Sequence, residues 1–193
     1  MVTEGKKIKV VGVDPALRNF GLVNAEIDID TLEVKVQDMH LAKSENGIKK
    51  TKTVRKNSDD LERARVLTAA LKEACEGAAF AFVEVPVGSQ SARAMASYGI
   101  CIGVLSGCPI PMIQVTPTEV KLAGTGIKTA TKDEMIEAAV ALHPDAPWLT
   151  RKLKGKDEMI ADNEHLADAC FAIKAGMATD QFKSILQTLK MLH

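Results

Sequence analysis

Two strand-like segments of the chain end on a carboxylate, and a later segment carries a histidine and an aspartate at helical spacing. Asp14 and Glu84 each close an apolar run rich in Val or Phe. A carboxylate beside such a run is costly to desolvate unless a cation or a hydrogen-bond donor meets it. His165 and Asp168 lie three residues apart and would project from one face of a helix. The four side chains could therefore converge on one point.

A cluster of this composition favours divalent cations. Carboxylates within a few ångströms repel one another, and their pKa values rise unless a cation is present. Mg²⁺ prefers hard oxygen ligands and keeps some of its own waters. Two such ions roughly 4 Å apart can clamp a phosphodiester, one activating water and one steadying the leaving oxygen. The pattern thus favours metal-dependent phosphodiester hydrolysis.

Each residue also has an ordinary structural interpretation. Asp14 could be a turn residue before Pro15, and Glu84 could be a surface strand end. His165 could be a structural histidine, and Asp168 could lie on a helix surface. Taken together, the four structural interpretations are less favoured than each is alone. Both acids end apolar strands, and the polar pair follows on a largely apolar helix, where buried polar groups need partners. The acids expected beside the ligand candidates are Glu164 and Asp162.

The order of the predicted elements indicates an α/β fold. The 193 residues favour one compact domain covering 1–193. A β-meander followed by βα units predicts a mixed sheet with helices on both faces. Strands are predicted at 7–14, 20–29, 33–41, 80–84 and 110–116. Helices are predicted at 61–77 and 89–107, from capping boxes at Thr116 and Thr131, around His165, and from about residue 180 as a tail helix.

Small residues share one face of the second predicted helix. Small side chains let another backbone approach closely, so this face could pack onto the sheet or form a dimer contact, and the sequence favours neither. The residues are Ala92, Ala96, Gly99 and Gly103.

Two segments concentrate basic residues, although Lys+Arg and Asp+Glu are both 25 and the net charge is zero. Local charge is then the only electrostatic argument for nucleic acid. We interpret 43–58 as a mobile basic loop, although it could also be an ordinary solvated loop, and 144–157 as a second loop that carries basic residues. The candidate DNA contacts in them are Lys49, Lys50, Lys52, Arg55, Lys56, Arg151, Lys152 and Lys154.

Several classes of protein do not fit the sequence. No stretch is long and apolar enough to span a membrane, and the first residues lack a secretory apolar region. The four cysteines show no C-x-x-C spacing, which argues against disulfides and structural zinc. We therefore expect a cytoplasmic protein (host cytoplasm, if it is viral) without a membrane partner.

Four segments, in order and with sensible spacing, match the motifs of one family. They are Gly12–Gly21, Val83–Glu84, Val115–Lys121 with Gly124–Gly126 and Lys132, and His165–Ala169. In these segments the chain resembles the RuvC-type Holliday-junction resolvases of the ribonuclease H-like superfamily. The resemblance spans about Lys7 to Ala178 and implies a ribonuclease H-like mixed five-stranded sheet.

The resemblance also implies an activity. A homodimer would bind four-way DNA junctions and make symmetric nicks in two strands, leaving 5′-phosphate and 3′-hydroxyl ends. Lys121 and Lys132 would contact or neutralise phosphates near the scissile bond. Each site would hold two Mg²⁺ ions, with Mn²⁺ able to replace them. The catalytic residues and metal ligands would be Asp14, Glu84, His165 and Asp168.

Two departures from the family pattern keep other functions open. The family often has a base-stacking aromatic residue just after the second acid, where this chain has Val85–Gly88. The basic insertion 43–56 is similar to that of viral relatives, which often act on varied branched DNA. The alternatives are a broader flap or fork nuclease, a non-catalytic branched-DNA binding protein of the same fold, and a nucleotide-binding protein. The nucleotide-binding alternative is the weakest, because this chain has no glycine loop of the kind that binds phosphate.

Overall fold

A five-stranded mixed sheet forms the centre of the structure, a computed structural model that describes residues 6–45 and 56–191. The strand order is β3-β2-β1-β4-β5. The first three strands form an antiparallel meander, and β4 and β5 run parallel to β1. The predicted strands are confirmed, with ends shifted by at most a few residues. The strands are β1 (Lys7–Asp14), β2 (Asn19–Asp28), β3 (Val34–Lys43), β4 (Phe80–Glu84) and β5 (Met112–Val115).

Helices cover both faces of the sheet, as predicted. Helices α1 and α2 pack on the face that carries Val11 and Val13, whereas α5 packs on the face that carries Val10 and Phe82. Because both faces are buried, the central strands have almost continuous apolar sequences. None of the helices in the described ranges is both long and apolar enough to cross a membrane. The helices are α1 (Lys56–Ala74), α2 (Ala92–Leu105), α3 (Pro117–Thr125), α4 (Lys132–Leu142), α5 (Asn163–Met177) and α6 (Asp180–Met191).

Capping boxes begin α3 and α4, as the sequence predicts. Thr116 accepts a hydrogen bond from the backbone N–H of Glu119, whose side chain accepts one from the backbone N–H of Thr116. Thr131 and Glu134 make the same pair of contacts. Both helix starts are therefore fixed by local sequence.

The first predicted basic loop is shorter than 43–58. Strand β3 continues to Lys43, and α1 begins at Lys56 rather than at residue 61. The added residues lack apolar periodicity, so the sequence pattern did not include them in the helix. Their contact with the rest of the fold is an ion pair, in which Arg93 of α2 makes two hydrogen bonds to Asp60, at 2.7 and 2.8 Å. Predicted DNA contacts that lie outside the described residues are Lys49, Lys50, Lys52, Arg55 and the side chain of Lys56.

The second predicted loop, 144–157, is wrong from Thr150 onward. The chain there forms a β-hairpin of β6 (Thr150–Leu153) and β7 (Lys156–Met159). Lys154 and Gly155 both have positive φ, at 49° and 81°, as in the tight turns that match strand twist. Both strands are exposed on both faces, so they lack the alternation of buried and exposed residues that marks a strand in sequence.

Candidate active site

The two acids at strand ends lie side by side. β1 and β4 are adjacent and parallel, and Val13 pairs with Val83, so Asp14 and Glu84 follow at the same edge of the sheet. Both line a cavity of about 320 Å³. This edge, outside the carboxyl ends of parallel strands, is the usual place for a site in an open α/β sheet.

Helix α5 brings the predicted His–Asp pair to the same cavity. It packs so closely on the meander that a Cβ at Gly21 would clash with the carbonyl oxygen of His165, and a Cβ at Gly12 with that of Ala169. Glycine within a strand marks such a close approach of another backbone. The two glycines therefore allow His165 and Asp168 to face the end of β1, and both line the cavity.

The turn after Asp14 is held by neighbouring elements. The fully buried hydroxyl of Ser44 donates a hydrogen bond to the carbonyl oxygen of Leu17 at 2.6 Å, and the Ser44 backbone N–H donates to the carbonyl oxygen of Arg18 at 3.0 Å. Arg63 of α1, which is also buried, donates to the Ser44 hydroxyl at 3.1 Å. The end of β3 and helix α1 thus fix the backbone that presents Asp14.

Asp14 and His165 are hydrogen-bonded to each other. His165 Nδ1 donates to Asp14 Oδ2 at 2.6 Å, and only 8% of Asp14 is exposed. Burial by itself would lower the pKa of His165. The hydrogen bond and charge of Asp14, with smaller contributions from Glu164 and Asp168, raise the pKa above its usual value. The protonated imidazole is thus favoured next to these acids.

The other two acids are shifted toward their protonated forms. Burial, followed by the charges of Asp14 and Asp168, raises the pKa of Glu84 to about 9. Burial and the charge of Asp14 raise the pKa of Asp168 to about 7, although the charge of His165 opposes this shift. A cavity whose acids repel one another this strongly has a deficit of positive charge, and shifts of this size are typical of functional sites.

The donor set suits a divalent cation, but the side chains are not arranged around a single point. Hard carboxylate oxygens and one imidazole are ligands that Mg²⁺ and Mn²⁺ accept. Within residues 6–45 and 56–191, however, no group of three or more His, Cys, Asp and Glu side chains stands in a metal-binding arrangement. One oxygen of Asp14 is engaged by His165. Shared coordination would therefore require side-chain rearrangement, with the second oxygen of Asp14 and Nε2 of His165 as the atoms left for a cation.

Two lysines line the acid cavity, as the resemblance implies. Lys121 is half-buried, and its ammonium donates to the carbonyl oxygen of Ala130 at 2.9 Å. Lys132 is exposed and forms an ion pair of 2.6 Å with Glu164, whose hydrogen bond raises the pKa of Lys132. Glu164 also lies 3.4 Å from His165 Nε2, so it stands beside the candidate ligands where the sequence places it.

The other predicted DNA contacts lie elsewhere. Arg151, Lys152 and Lys154 are exposed on the β6–β7 hairpin and its turn, outside the lining of the acid cavity. The hairpin is anchored next to the site, because the amide of Asn163, at the start of α5, donates to the Leu149 carbonyl at 2.8 Å and accepts from its N–H at 2.9 Å. The residue just before the basic hairpin is therefore hydrogen-bonded to the helix that carries His165, two residues before that histidine.

The small-residue face of α2 points away from the sheet. Ala96, Gly99 and Gly103 are exposed, and a Cβ at either glycine would meet nothing within 4 Å. Cys101 and Val104 form the buried side of the helix. Packing onto the sheet is thus not the role of these small residues.

Tyr98 also lines the cavity, although no motif in the sequence marks it. This residue lies on α2 and is half-buried. The available signal was composition, because Tyr98 is the single tyrosine of the chain. Its position 14 residues after Glu84 carries no local motif.

Replacing Glu84 with Gln should stabilise the metal-free protein. The pKa of Glu84 lies at about 9 when folded and near 4.5 in its ordinary range, so between these values the folded state keeps a proton that the unfolded state has lost. The free energy of unfolding should therefore fall as pH rises across this window. Glu84→Gln should remove much of this fall and add about 1–3 kcal/mol near pH 8.

Urea unfolding in a chelator, from about pH 5 to about pH 8, measures this effect. Glu73→Gln, at an exposed position on α1, is the matched control and should leave the pH dependence unchanged. A Glu84→Gln protein that is less stable than the wild type near pH 8 would contradict the expectation.

Comparison with known proteins gives structural neighbours. No protein-family model and no curated protein matches the chain. Among solved structures, Thermus thermophilus RuvC in complex with a Holliday junction substrate has a TM-score of 0.59 and 20% sequence identity over 89% of this chain and 93% of that one. The chain has the ribonuclease H-like fold.

Two further structures agree with this assignment. A second Thermus thermophilus RuvC structure has a TM-score of 0.57 and 21% identity, again over 89% of this chain and 93% of that one. The yeast mitochondrial Holliday junction resolvase Ydc2 has a TM-score of 0.54 and 13% identity over 97% of this chain and 87% of that one. The neighbours are thus Holliday junction resolvases, the family that the sequence motifs resemble, and the predicted fold class is confirmed.

Proposed function

We propose that the protein is a structure-selective endonuclease that resolves four-way DNA junctions by divalent-metal-dependent hydrolysis. One observation carries the proposal. Asp14, Glu84, His165 and Asp168 meet in one cavity at the sheet edge, in a fold shared with junction resolvases. Two of these acids have pKa values raised by burial and mutual repulsion, which bound cations would relieve.

Each side chain has a distinct part in the proposed chemistry. The three carboxylates and His165 would hold two Mg²⁺ ions, which supply positive charge to the scissile phosphate and to the attacking water. Lys121, held by the Ala130 carbonyl, keeps a fixed ammonium beside the acids. Lys132 is 76% exposed at its side chain, so its ammonium can reach a phosphate oxygen in exchange for its ion pair with Glu164.

The β6–β7 hairpin is the proposed contact for a DNA arm. It is exposed, carries four basic residues and is tied to the start of α5 through Asn163. An exposed two-stranded ribbon with little apolar surface gains little from packing on its own domain. Binding a phosphate backbone gives such a charged ribbon a role, because counterion release drives binding.

Neutralising the hairpin should weaken junction binding and reduce its salt dependence. Changing Arg151, Lys152 and Lys154 together to Gln should lower the log–log slope of affinity against salt by about one unit for each phosphate that the variant no longer neutralises. Fluorescence anisotropy with a labelled junction across a salt series measures this slope.

A control triple variant at the opposite edge of the sheet keeps the total charge change the same. The control combines three substitutions, at the starts of β1 and β3 and near the end of α1: Lys9→Gln, Lys35→Gln and Lys72→Gln. This control should bind as the wild type does. Equal slopes for the hairpin variant and the wild type would assign the hairpin to ordinary solvated surface.

The exposed face of α2 is the proposed homodimer contact. Paired nicks in a two-fold substrate need two sites related by symmetry. The face combines the small Ala96, Gly99 and Gly103 with the exposed apolar side chains Met95 and Ile102. Small residues at such a face allow the symmetry-related helix to approach closely.

A charged side chain in this face should break the dimer. Gly99→Arg is expected to raise the dimer dissociation constant by about tenfold or more, because it places bulk and charge at the centre of the contact. Sedimentation velocity over a concentration series measures it. Leu142→Glu, on an equally exposed apolar position of α4, is the control and should remain dimeric. A monomeric wild type, with and without junction DNA, would contradict the dimer.

The range of substrates tests the proposed specificity. Labelled four-way junctions, replication forks and flaps should be cut in that order of preference, and the junction products should be ligatable nicked duplexes with 5′-phosphate and 3′-hydroxyl ends. Comparable cleavage of forks and flaps would favour a broader branched-DNA nuclease. This comparison is needed because the segment after Glu84, where the family often has a base-stacking aromatic residue, holds Val87 instead. Val87 is 74% exposed.

A further inference from the structure

Two of the four cysteines touch each other, although they are 33 residues apart in the sequence. The sulfur atoms of Cys75 and Cys108 lie 3.8 Å apart, which is a direct contact between the two atoms, and both thiols are free. No C-x-x-C spacing marks the pair in the sequence. The contact is therefore a product of the fold.

The sheet topology explains why the two sulfurs meet. Cys75 lies in the turn between α1 and β4, and Cys108 lies in the turn between α2 and β5. Strands β4 and β5 are adjacent and parallel, and the N–H of Ala81 donates to the carbonyl oxygen of Pro111 at 2.9 Å, so both turns lie at the same edge of the sheet. The acid cavity lies at the opposite edge, where β4 ends at Glu84. The chemistry of the cysteine pair is thus independent of the proposed function.

The backbone holds both cysteines in place. The N–H of Cys75 donates to the carbonyl oxygen of Leu71 at 3.0 Å, and the N–H of Cys108 donates to the carbonyl oxygen of Leu105 at 2.9 Å. Both side chains also pack in the core that α1 and α2 form with the sheet. Thiols held side by side in this way react with each other as an intramolecular pair, without the entropic cost of bringing them together.

The two thiols differ in how easily a reagent can reach them. Cys75 is almost fully buried, and burial, followed by the charge of Cys108, raises the pKa of Cys75 to about 12. Cys108 is half-buried, so it is the thiol of the pair that an external reagent reaches first. The other two cysteines, Cys101 and Cys170, are buried in the core. The pair therefore combines a reachable sulfur with a second sulfur directly behind it.

We infer that Cys75 and Cys108 form a reversible intramolecular disulfide in the folded protein, by exchange with a low-molecular-weight disulfide such as oxidised glutathione. The Cys108 thiol loses its proton to solvent and attacks one sulfur of the oxidant, whose S–S bond breaks and releases one thiolate. The Cys75 thiol then loses its proton and attacks the Cys108 sulfur of this mixed disulfide, which releases the second thiolate. Both released thiolates take up a proton. Two cysteine thiols are thus oxidised, and one external disulfide is reduced to two thiols.

The new bond requires a small movement of the side chains. Sulfur atoms in a disulfide are about 2.05 Å apart, so the two sulfurs must approach each other by roughly another 1.8 Å. The half-buried position of Cys108 leaves its side chain room to rotate.

The bond also closes a loop of the chain that contains β4 and α2. The loop carries Glu84 and the exposed face of α2. A cross-link of this kind restricts the unfolded chain, so the oxidised protein should be more stable than the reduced protein.

The test exposes the folded protein to an excess of oxidised glutathione. The remaining thiols are alkylated, and the protein is digested with trypsin without reduction. Trypsin cuts after Arg93, between the two cysteines, so the disulfide joins peptide 73–93 to peptide 94–121. Fragmentation of the linked peptides distinguishes Cys108 from Cys101, which lies in the same peptide.

Three variants separate the steps. Cys108→Ser removes the sulfur that the oxidant reaches, with little change in size. Cys75→Ala removes the sulfur that completes the bond. Cys170→Ala, on the opposite face of the sheet, keeps the pair and is the matched control.

The expected result assigns each sulfur its step. The wild type and Cys170→Ala should give the linked peptides in a monomer, with a thermal midpoint raised by about 5–10 °C, and a reductant should reverse both changes. Cys75→Ala should stop at the mixed disulfide and carry one glutathione on Cys108. Cys108→Ser should give no linked peptide and no rise in thermal midpoint.

Three outcomes overturn the inference, and none of them affects the proposed function. The first is a folded wild type whose cysteines all stay free under conditions that oxidise the same protein in urea. The second is a disulfide between other cysteines or between two chains. The third is a thermal midpoint that falls on oxidation, which would show that the bond does not fit the folded state.

Discussion

Asp14→Asn is expected to reduce junction cleavage at least roughly a thousandfold while junction affinity stays within about threefold of the wild type. The change removes a charge from the floor of the cavity without adding bulk, so the acid cluster holds cations poorly. Most of the binding free energy should come from basic residues outside this cluster, which the change does not touch. Glu84→Gln should behave in the same way, although it stabilises the metal-free protein.

Single-turnover cleavage of a labelled junction in Mg²⁺, with affinity measured in Ca²⁺, gives both quantities. Asp38→Asn and Glu73→Gln, at exposed positions of β3 and α1, are the matched controls and should cleave normally. An Asp14→Asn protein that nicks at the wild-type rate would remove Asp14 from the site.

His165→Ala is expected to lose about a hundredfold or more in cleavage, whereas His165→Asp should retain much of the activity. In the metal-free protein, Nδ1 of the imidazole donates to Asp14 at 2.6 Å, which leaves Nε2 of a neutral imidazole as the nitrogen that can bind a metal ion. Aspartate at the same helical position offers a hard oxygen ligand, but alanine offers none. The Ala variant should also gain less thermal stability from Mn²⁺ than the wild type, a readout independent of activity.

The pH dependence of cleavage should follow the protonation of the His165 imidazole. Asp14 raises the pKa of His165, so the imidazolium persists to a higher pH than an ordinary histidine allows. Wild-type cleavage should therefore fall as pH drops through this raised value, and His165→Asp should move the acid limb to lower pH. His40→Ala, at an exposed position of β3, should leave the profile unchanged. Normal nicking by His165→Ala would instead favour Glu164 as the ligand on this helix.

The sequence predicted the sheet and the positions of the candidate ligands because their signals are local. Strands buried on both faces give nearly continuous apolar runs, and acids directly after two such runs must share an edge if the strands are adjacent and parallel. The three-residue spacing of His165 and Asp168 likewise follows from helix geometry. Gly12 and Gly21 belong to the first motif, and glycine within a strand also indicates that another backbone lies close.

The features that the sequence did not predict depend on distant contacts. The first turn of α1 has no apolar periodicity and is supported by the Asp60–Arg93 pair, which joins two helices. The hairpin has strands exposed on both faces and a Lys154–Gly155 turn instead of the stronger Asn–Gly signal. Tyr98 reaches the cavity because α2 packs on the sheet face that carries Val11 and Val13, a relation that no short motif encodes.

Cleavage of a synthetic four-way junction beside a linear duplex of the same sequence, with Mg²⁺ and with a chelator, tests the central claim most directly. The acid cavity and the resolvase-like fold predict paired nicks near the branch point of the junction in Mg²⁺. They predict no cleavage in the chelator, and at least about a hundredfold slower cleavage of the duplex. Junction binding without cleavage in either Mg²⁺ or Mn²⁺, or equal cleavage of junction and duplex, would contradict the account.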